Sequence, residues 1–200
     1  TEIYTLSLHD ALPISPAGSM METAAQALGC TVFPAGVGQT EMQLAAMLDL
    51  RPDAYAGTPS FLRILLDKAA ETGVRLDSLK KAFVSGEAFP PSQRQALAAA
   101  GIQAYQAYAT ADIGLIAFET PALEGMVLDE DVLLEIVRPG TGDPVAPGEV
   151  GEVVVTSFNP DYPLVRFGTG DLSAVLPGVS PCGRTNTPIR GWRGPADQNN

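Results

Sequence analysis

Short apolar runs alternate with longer amphipathic segments from residue 16 to about residue 120, and this alternation constrains the fold more than any other feature of the chain. Each run is too short for a helix but apolar enough for a strand that is buried on both faces. Strands that alternate with helices form a layered α/β unit around a mostly parallel sheet. We therefore predict such a unit over residues 16–120. Its expected strands lie at residues 31–33, 54–56, 82–84 and 102–105.

Two helices of this unit have marked starts in the sequence. Thr40 is followed three residues later by Gln43, which is the pattern of a capping box. Thr58-Pro59 predicts a second helix with a capping hydroxyl and a proline at its first position, and Gly73 is the expected stop. Apolar side chains recur at helical spacing along this second helix and predict a buried face. They are Phe61, Leu62, Leu65, Leu66 and Ala69.

After Pro121 the sequence pattern changes to short segments typical of β-strands, which are separated by glycine and proline. We place a subdomain boundary near Thr120 and predict a smaller β-rich subdomain over residues 121–190. Residues 191–200 carry no periodicity, and we expect them to be a truncated stub. The strands expected in the second subdomain lie at residues 132–137, 149–156, 164–167 and 172–176.

The first fifteen residues match nothing downstream in character and look like read-through of a sequencing adapter. We expect residues 1–15 to be a non-native leader. His9, the single histidine of the chain, lies in this segment. We therefore exclude it from any catalytic role.

Charge and cysteine content exclude several classes of function. The net charge of −11 argues against nucleic acid as a partner, because phosphate binding requires clustered Lys and Arg. Cys30 and Cys182 are too few for a disulfide framework or a four-ligand zinc site, and a cytoplasmic location fits best. The longest apolar stretches are far too short to span a bilayer, so we expect no membrane partner. An oligomer is left open.

The tetrapeptide Gly-Thr-Gly-Asp occurs twice, at residues 140–143 and 168–171. The first copy lies between prolines and predicts a turn without chemistry. The second follows an apolar run, which places Asp171 at the mouth of a strand. An ionised Asp can accept one donor on each oxygen, and this suits the two hydroxyls of a ribose. The alternative is a turn-capping Asp, which the tetrapeptide alone favours.

Two further segments are suited to a nucleotide. In Ser85-Gly86-Glu87-Ala88 a predicted strand runs into a glycine, where a flat ring can approach the backbone. Tyr108, Thr110 and Asp112 then offer an aromatic face, a hydroxyl and a carboxylate within five residues. Taken singly, Glu87 fits a solvated charge before a helix, Tyr108 a half-buried core aromatic and Asp112 a turn residue.

The order of these segments resembles the adenylate-forming (AMP-binding) superfamily, most closely its phenylacetate-CoA ligase and coenzyme F390 synthetase branch. The resemblance covers roughly residues 16–198. It implies that Ser85-Gly86-Glu87-Ala88 line an adenine and that Tyr108 stacks on it. It further implies that Asp112 holds Mg²⁺ and that Asp171, within the motif of residues 166–172, binds the ribose.

Several positions depart from the family pattern. Ala109 and Ala111 stand where the family has Gly and a hydroxyl residue, so Thr110 is the nearest hydroxyl for a phosphate. Gly168 stands where the family has Arg. Some members have a cysteine cluster of which only Cys182 remains, and we therefore expect no zinc.

By resemblance, the chain is part of the N-terminal domain of an acid–thiol ligase that uses ATP, Mg²⁺ and coenzyme A. Phe61, Ile113 and Leu115 are candidates for an acyl pocket, which favours an aromatic or other apolar carboxylic acid; core packing is the alternative. Asp197 would belong to the hinge. We expect the phosphate-gripping loop before residue 16 and the catalytic lysine after Asn200, so the chain alone would be incomplete and inactive. The rival interpretations are a non-catalytic nucleotide-binding or scaffold domain and a fragment without a stable fold.

Overall fold

The computed structural model of the chain describes residues 3–7, 16–36 and 38–191. The chain divides into two compact units, Thr1–Gln106 and Ala107–Asn200. Each unit has its own buried apolar core. The subdomain boundary near Thr120 stays a prediction. It marks a change in the residue pattern of the sequence, which need not coincide with the division into compact units at Gln106.

The first unit is the predicted layered α/β unit. Its parallel strands lie in the order β2-β1-β3-β4-β5, which confirms the mostly parallel sheet. Its elements are β1 (Ile3–Ser7), α1 (Pro16–Ala27), β2 (Thr31–Pro34), α2 (Thr40–Leu50), β3 (Ala54–Gly57), α3 (Pro59–Glu71), β4 (Lys81–Val84), α4 (Pro91–Ala99) and β5 (Gln103–Thr110), the last of which continues into the second unit.

Part of the expected leader belongs to this sheet. Strand β1 pairs with both β2 and β3. His9 and the rest of residues 8–15 lie outside the described residues, as do residues 1 and 2. The non-native origin of residues 1–15 stays a prediction.

Helix α3 forms as its sequence predicts. The Oγ1 atom of Thr58 accepts the N–H of Phe61 at 3.4 Å, and Pro59 occupies the first helical position. The predicted apolar face packs into the core of the first unit. Gly73, with a φ of 70°, follows the end of the helix and donates its N–H to the carbonyl of Ala70. The start and stop signals of α3 are therefore confirmed.

The capping box predicted for α2 is wrong. The N-cap is Gln39, which has a φ of 53° and makes no capping hydrogen bond with its side chain. Gln43 is only 3% exposed, and its Nε2 donates to the carbonyls of Gly36 at 3.1 Å and Gly38 at 2.7 Å. A buried amide needs acceptors, and the preceding loop supplies them. Gln43 therefore ties that loop to the helix instead of capping it.

The second unit is β-rich, as predicted. Strands β5, β6, β7 and β11 pair antiparallel in that order, and β10, β9 and β8 form a separate antiparallel sheet. Among the residues that the structure describes, no helix combines the length and the apolarity needed to cross a membrane. The remaining strands are β6 (Gly114–Glu119), β7 (Met126–Leu128), β8 (Val132–Val137), β9 (Gly151–Ser157), β10 (Phe167–Ser173) and β11 (Pro188–Ile189).

Two strand predictions in the second unit are wrong. Residues 164–166 form no strand, because Arg166 has a left-handed φ of 50° and its N–H is donated to Oγ1 of Thr156. Strand β10 starts at Phe167 instead and ends at Ser173. Beyond that end, Val175 makes only an isolated bridge.

Candidate functional site

Asp171 lies within β10, and the expectation that it stands at the mouth of a strand is wrong. The pairing of β10 with β9 is irregular between Gly168 and Leu172. In this bulged stretch the N–H of Asp171 is donated to Oγ1 of Thr169 at 3.2 Å, and Gly170 has a φ of 76°. A bulge turns a side chain out of the regular alternation of a strand. Asp171 is consequently half-buried within the strand.

The Asp171 carboxylate is joined to Tyr108, which lies on β5 in the same unit. The Tyr108 hydroxyl donates to Oδ2 of Asp171 at 2.8 Å. Burial of the phenol raises the pKa of Tyr108 well above its usual value, and the hydrogen bond to the Asp171 carboxylate raises it further. Tyr108 is therefore a neutral hydrogen-bond donor over the ordinary pH range.

The ring of Tyr108 belongs to the core of the second unit. It is 6% exposed and packs in a cluster with Ile116, Val153 and Val155. This burial leaves little of its face for another ring. The stacking of Tyr108 on adenine stays a prediction.

Thr110 and Asp112 lie where β5 turns into β6. Oγ1 of Thr110 accepts the N–H of Ile113 at 3.1 Å, which leaves the hydroxyl hydrogen for another acceptor. Asp112 is exposed in the turn. In the described part of the chain, no three or more His, Cys, Asp or Glu side chains lie together as metal ligands. A single carboxylate still suits Mg²⁺, which keeps several waters and binds substrate phosphates.

In the first unit, Ser85-Gly86-Glu87-Ala88 follows β4 at the carboxyl end of the parallel sheet. The N–H of Ser85 is donated to the carbonyl of Gly57, at the end of β3, at 3.1 Å. Ser60 donates its hydroxyl to Oε1 of Glu87 at 2.7 Å. Loops at the carboxyl ends of neighbouring parallel strands are where α/β sheets bind ligands. The structure therefore fixes Glu87 through Ser60, a residue that the sequence did not indicate.

The acyl-pocket candidates lie in different cores. Phe61 is 3% exposed in the core of the first unit. Ile113 packs against the core of the second unit, and Leu115 is half-buried on β6. Their role in an acyl pocket stays a prediction. Asp197 lies outside the described residues.

The first Gly-Thr-Gly-Asp copy forms the turn that its prolines predict. The N–H of Arg138 is donated to the carbonyl of Asp143 at 2.8 Å, which closes the turn after β8. Asp143 is exposed. Arg166 joins this turn to the second copy, because its Nη2 donates to the carbonyl of Gly142 at 2.9 Å and its Nε to Oε2 of Glu135 at 3.1 Å.

Sequence similarity assigns the family. The pattern that defines the family described as AMP-binding enzyme matches residues 8–159. The chain belongs to this family. The resemblance seen in its motifs is thereby confirmed.

Relatives of this AMP-binding enzyme chain are phenylacetate-coenzyme A ligases. The protein from Aromatoleum evansii is 35% identical over 161 residues, which are 76% of this chain and 37% of that ligase. The protein from Thermus thermophilus is 32% identical over 177 residues, or 84% of this chain and 40% of that ligase. The chain thus spans about two fifths of the length of these curated relatives. Its relatives are acid–thiol ligases.

Solved structures confirm the α/β fold of this AMP-binding enzyme chain. An open conformation of 2-hydroxyisobutyryl-CoA ligase, in complex with 2-HIB-AMP and CoA, superimposes with a TM-score of 0.87 at 25% identity. The match covers 98% of this chain and 45% of that ligase. The anthranilate CoA ligase AuaEII, in complex with anthranoyl-AMP, shares the fold with a TM-score of 0.71 at 18% identity.

Proposed function

We propose that the chain is the adenosine-binding part of an ATP-dependent carboxylate–CoA ligase. The observation that carries this proposal is the Asp171 carboxylate, which lies in the bulge of β10 with Tyr108 bonded to one oxygen. An ionised carboxylate only accepts hydrogen bonds, so it suits the hydroxyls of a ribose. The acyl adenylates bound by similar solved ligases support the same interpretation.

The proposed reaction has two steps. An oxygen of the carboxylic acid attacks the α-phosphorus of ATP, and pyrophosphate leaves. The sulfur of coenzyme A then attacks the acyl carbon, the thiol gives up its proton, and AMP leaves. The role of this chain in both steps is to hold the adenosine in place, which lowers the entropic part of the barrier.

Further ligands follow from the residues around the turn after β5. The hydroxyl of Thr110 would donate to a phosphate oxygen, and Asp112 would hold Mg²⁺, which supplies positive charge to the phosphates. Phe61, Ile113 and Leu115 favour an aromatic or other apolar acid. The net charge of −11 disfavours a nucleic-acid partner, the two cysteines fit a cytoplasmic location, and the short apolar stretches fit an enzyme without a membrane partner.

A non-catalytic nucleotide-binding domain is the second candidate. Ala111 favours it, because alanine cannot supply the hydroxyl that the family places near the phosphates, and Ala109 is a second departure, from the family's Gly. Pyrophosphate exchange by the product of the full-length gene, measured with a panel of carboxylic acids, separates the two candidates. Exchange with any of the acids supports the ligase. ATP binding without exchange for every acid supports the non-catalytic domain.

The ribose assignment is tested with the two copies of the tetrapeptide. Asp171→Ala should weaken ATP binding by roughly tenfold or more, because a hydrogen bond to a charged group contributes about 1.5–3 kcal/mol. Asp143→Ala is the matched control, and it should leave the affinity unchanged because Asp143 lies exposed in the turn after β8. Titration calorimetry gives both dissociation constants.

Two results would count against this function. The first is an ATP affinity that Asp171→Ala and Asp143→Ala change equally, or that neither changes. The second is the absence of saturable ATP binding by a chain whose circular dichroism shows the folded α/β structure.

A further inference from the structure

The Tyr108 hydroxyl donates a hydrogen bond directly to the Asp171 carboxylate. A buried phenol normally has a hydrogen-bond partner. Here the partner is Oδ2 of a side chain that lies 63 residues away, and the distance of 2.8 Å is that of a well-formed bond. Since the buried phenol stays protonated, it can only donate to the carboxylate. The position of Oδ2 is therefore fixed by a side chain that is itself held in the core.

Thr169 fixes the backbone beside the carboxylate. Its Oγ1 accepts the N–H of Asp171 at 3.2 Å and donates to the carbonyl of Val153 at 3.0 Å. Val153 lies fully buried on β9. Thr169 thus joins the bulge to the neighbouring strand.

The arrangement divides the two carboxylate oxygens between two tasks. Oδ2 accepts the phenol, and no donor among the described residues reaches Oδ1. Each carboxylate oxygen has two lone pairs, so Oδ1 and the second lone pair of Oδ2 are available to the two hydroxyls of a ribose. A rotation about the Cβ–Cγ bond of Asp171 would break the bond to Tyr108. The phenol therefore restricts the orientations in which the carboxylate meets a ligand.

We propose that Tyr108 and Thr169 are positioning residues that hold the Asp171 carboxylate for a ribose diol and thereby set the preference for ribonucleotides over deoxyribonucleotides. This inference rests on the proposed function, because it assigns a specificity to the same carboxylate. Neither residue needs to touch the sugar. Their effect passes through Asp171 and does not depend on a contact with the adenine.

The test compares ATP with 2′-deoxy-ATP and 3′-deoxy-ATP by titration calorimetry. Tyr108→Phe keeps the ring and removes the hydroxyl, and it should reduce the preference for ATP over the deoxy analogues by about threefold to tenfold. The affinity for the deoxy analogues themselves should change by less than about twofold. Tyr162→Phe is the control, since it removes the hydroxyl of an exposed ring in the same unit.

A second pair of variants tests Thr169. Thr169→Val removes both hydrogen bonds of the side chain and should lower the same preference, and Thr169→Ser, which restores the hydroxyl, should recover most of it. Thr141→Val is the matched control in the first tetrapeptide and should have no effect. These variants keep the proposal testable if Tyr108→Phe alters the packing of the core.

The Asp171→Ala background shows whether the positioning residues act through the carboxylate. In that background Tyr108→Phe should cause no further loss of preference. An equal loss of affinity for ATP and both analogues in Tyr108→Phe would overturn the inference, as would a preference that Tyr108→Phe leaves intact while Asp171→Ala abolishes it. A full preference for ATP in Asp171→Ala would instead contradict the ribose assignment itself.

Discussion

The two copies of Gly-Thr-Gly-Asp share the same local hydrogen bond and differ in everything around it. In each copy the N–H of the Asp is donated to Oγ1 of the Thr two residues earlier, at 3.3 Å for Asp143 and 3.2 Å for Asp171. The glycine between them has nearly the same φ, 75° in the first copy and 76° in the second. The tetrapeptide therefore specifies a local conformation that both copies adopt.

The surroundings decide what each carboxylate can do. Asp143 is exposed in a connection between two strands, whereas Asp171 is half-buried within β10 and accepts the hydroxyl of Tyr108. The bulge of β10 gives Asp171 its half-buried position, and Tyr108 on β5 gives it a hydrogen-bond donor; the tetrapeptide alone provides neither. A short motif thus becomes a candidate site only when another strand brings a fixed donor to it.

The largest expected effect is on the free energy of unfolding, and it concerns the apolar core that contains Tyr108, the partner of the second copy. Val155→Ala should lower the free energy of unfolding by about 2–3 kcal/mol, because Val155 is fully buried in the cluster that contains Tyr108. Val150→Ala makes the same change in the connection between β8 and β9, which contains the first copy. Its side chain is 44% exposed, and the change should cost less than about 0.5 kcal/mol. Urea denaturation gives both values. Equal losses would contradict the contrast between the copies.

The next prediction concerns the pKa of Tyr108, which only the second copy contacts. Its folded pKa is raised above the unfolded value of about 10, so its contribution to stability is present below that pH and is lost as the pH rises further. The loss should approach about 1.4 kcal/mol per pH unit. Tyr108→Phe should remove this part of the alkaline destabilisation in urea melts above about pH 10, while Tyr162→Phe should retain it. Identical alkaline slopes for the two variants would show that Tyr108 is not the group responsible.

The smallest expected effect comes from replacing the central glycine of each copy. It distinguishes the backbone conformation that both copies share from the binding site that only the second copy is proposed to form. Gly142→Ala and Gly170→Ala should each cost about 1 kcal/mol of stability, because both positions have a left-handed φ and open space around the missing side chain. Only Gly170→Ala should also weaken ATP binding, since it strains the backbone beside Asp171. Thermal unfolding and titration calorimetry measure the two quantities. A loss of affinity in Gly142→Ala as well would contradict the assignment of the binding site to the second copy.

Local signals in the sequence predict the parts of the fold that depend on neighbours in the chain. Thr58-Pro59 predicts the start of α3 because the capping hydroxyl, the proline and the N–H of Phe61 that the hydroxyl accepts lie within four residues. The parallel sheet is also predicted from order along the chain, because short apolar runs alternate there with helical segments. Gln43 shows the limit of this reasoning, since its amide binds loop carbonyls at Gly36 and Gly38, and a capping pattern does not reveal that alternative.

The candidate site depends on contacts that sequence spacing does not encode. The motifs single out Asp171 and Tyr108 separately, but the bond between them joins residues that lie 63 positions apart. Thr169 lies in the tetrapeptide, but the sequence alone assigns it no role; the recurrence of Thr at the same place in both copies is the signal that could have indicated one. The left-handed Arg166 could not be anticipated, because the partners of its side chain, Glu135 on β8 and Gly142 in the turn after β8, lie 31 and 24 residues away.

Arg166 has a consequence for the design of shorter or recombined versions of this domain. Because its guanidinium binds the carbonyl of Gly142, the exposed turn after β8 braces the residue that immediately precedes β10. Trimming that turn, which looks dispensable on the surface, would release Arg166 and with it the start of the strand that carries Asp171. A designer who deletes the inert copy of the motif would therefore also loosen the other one.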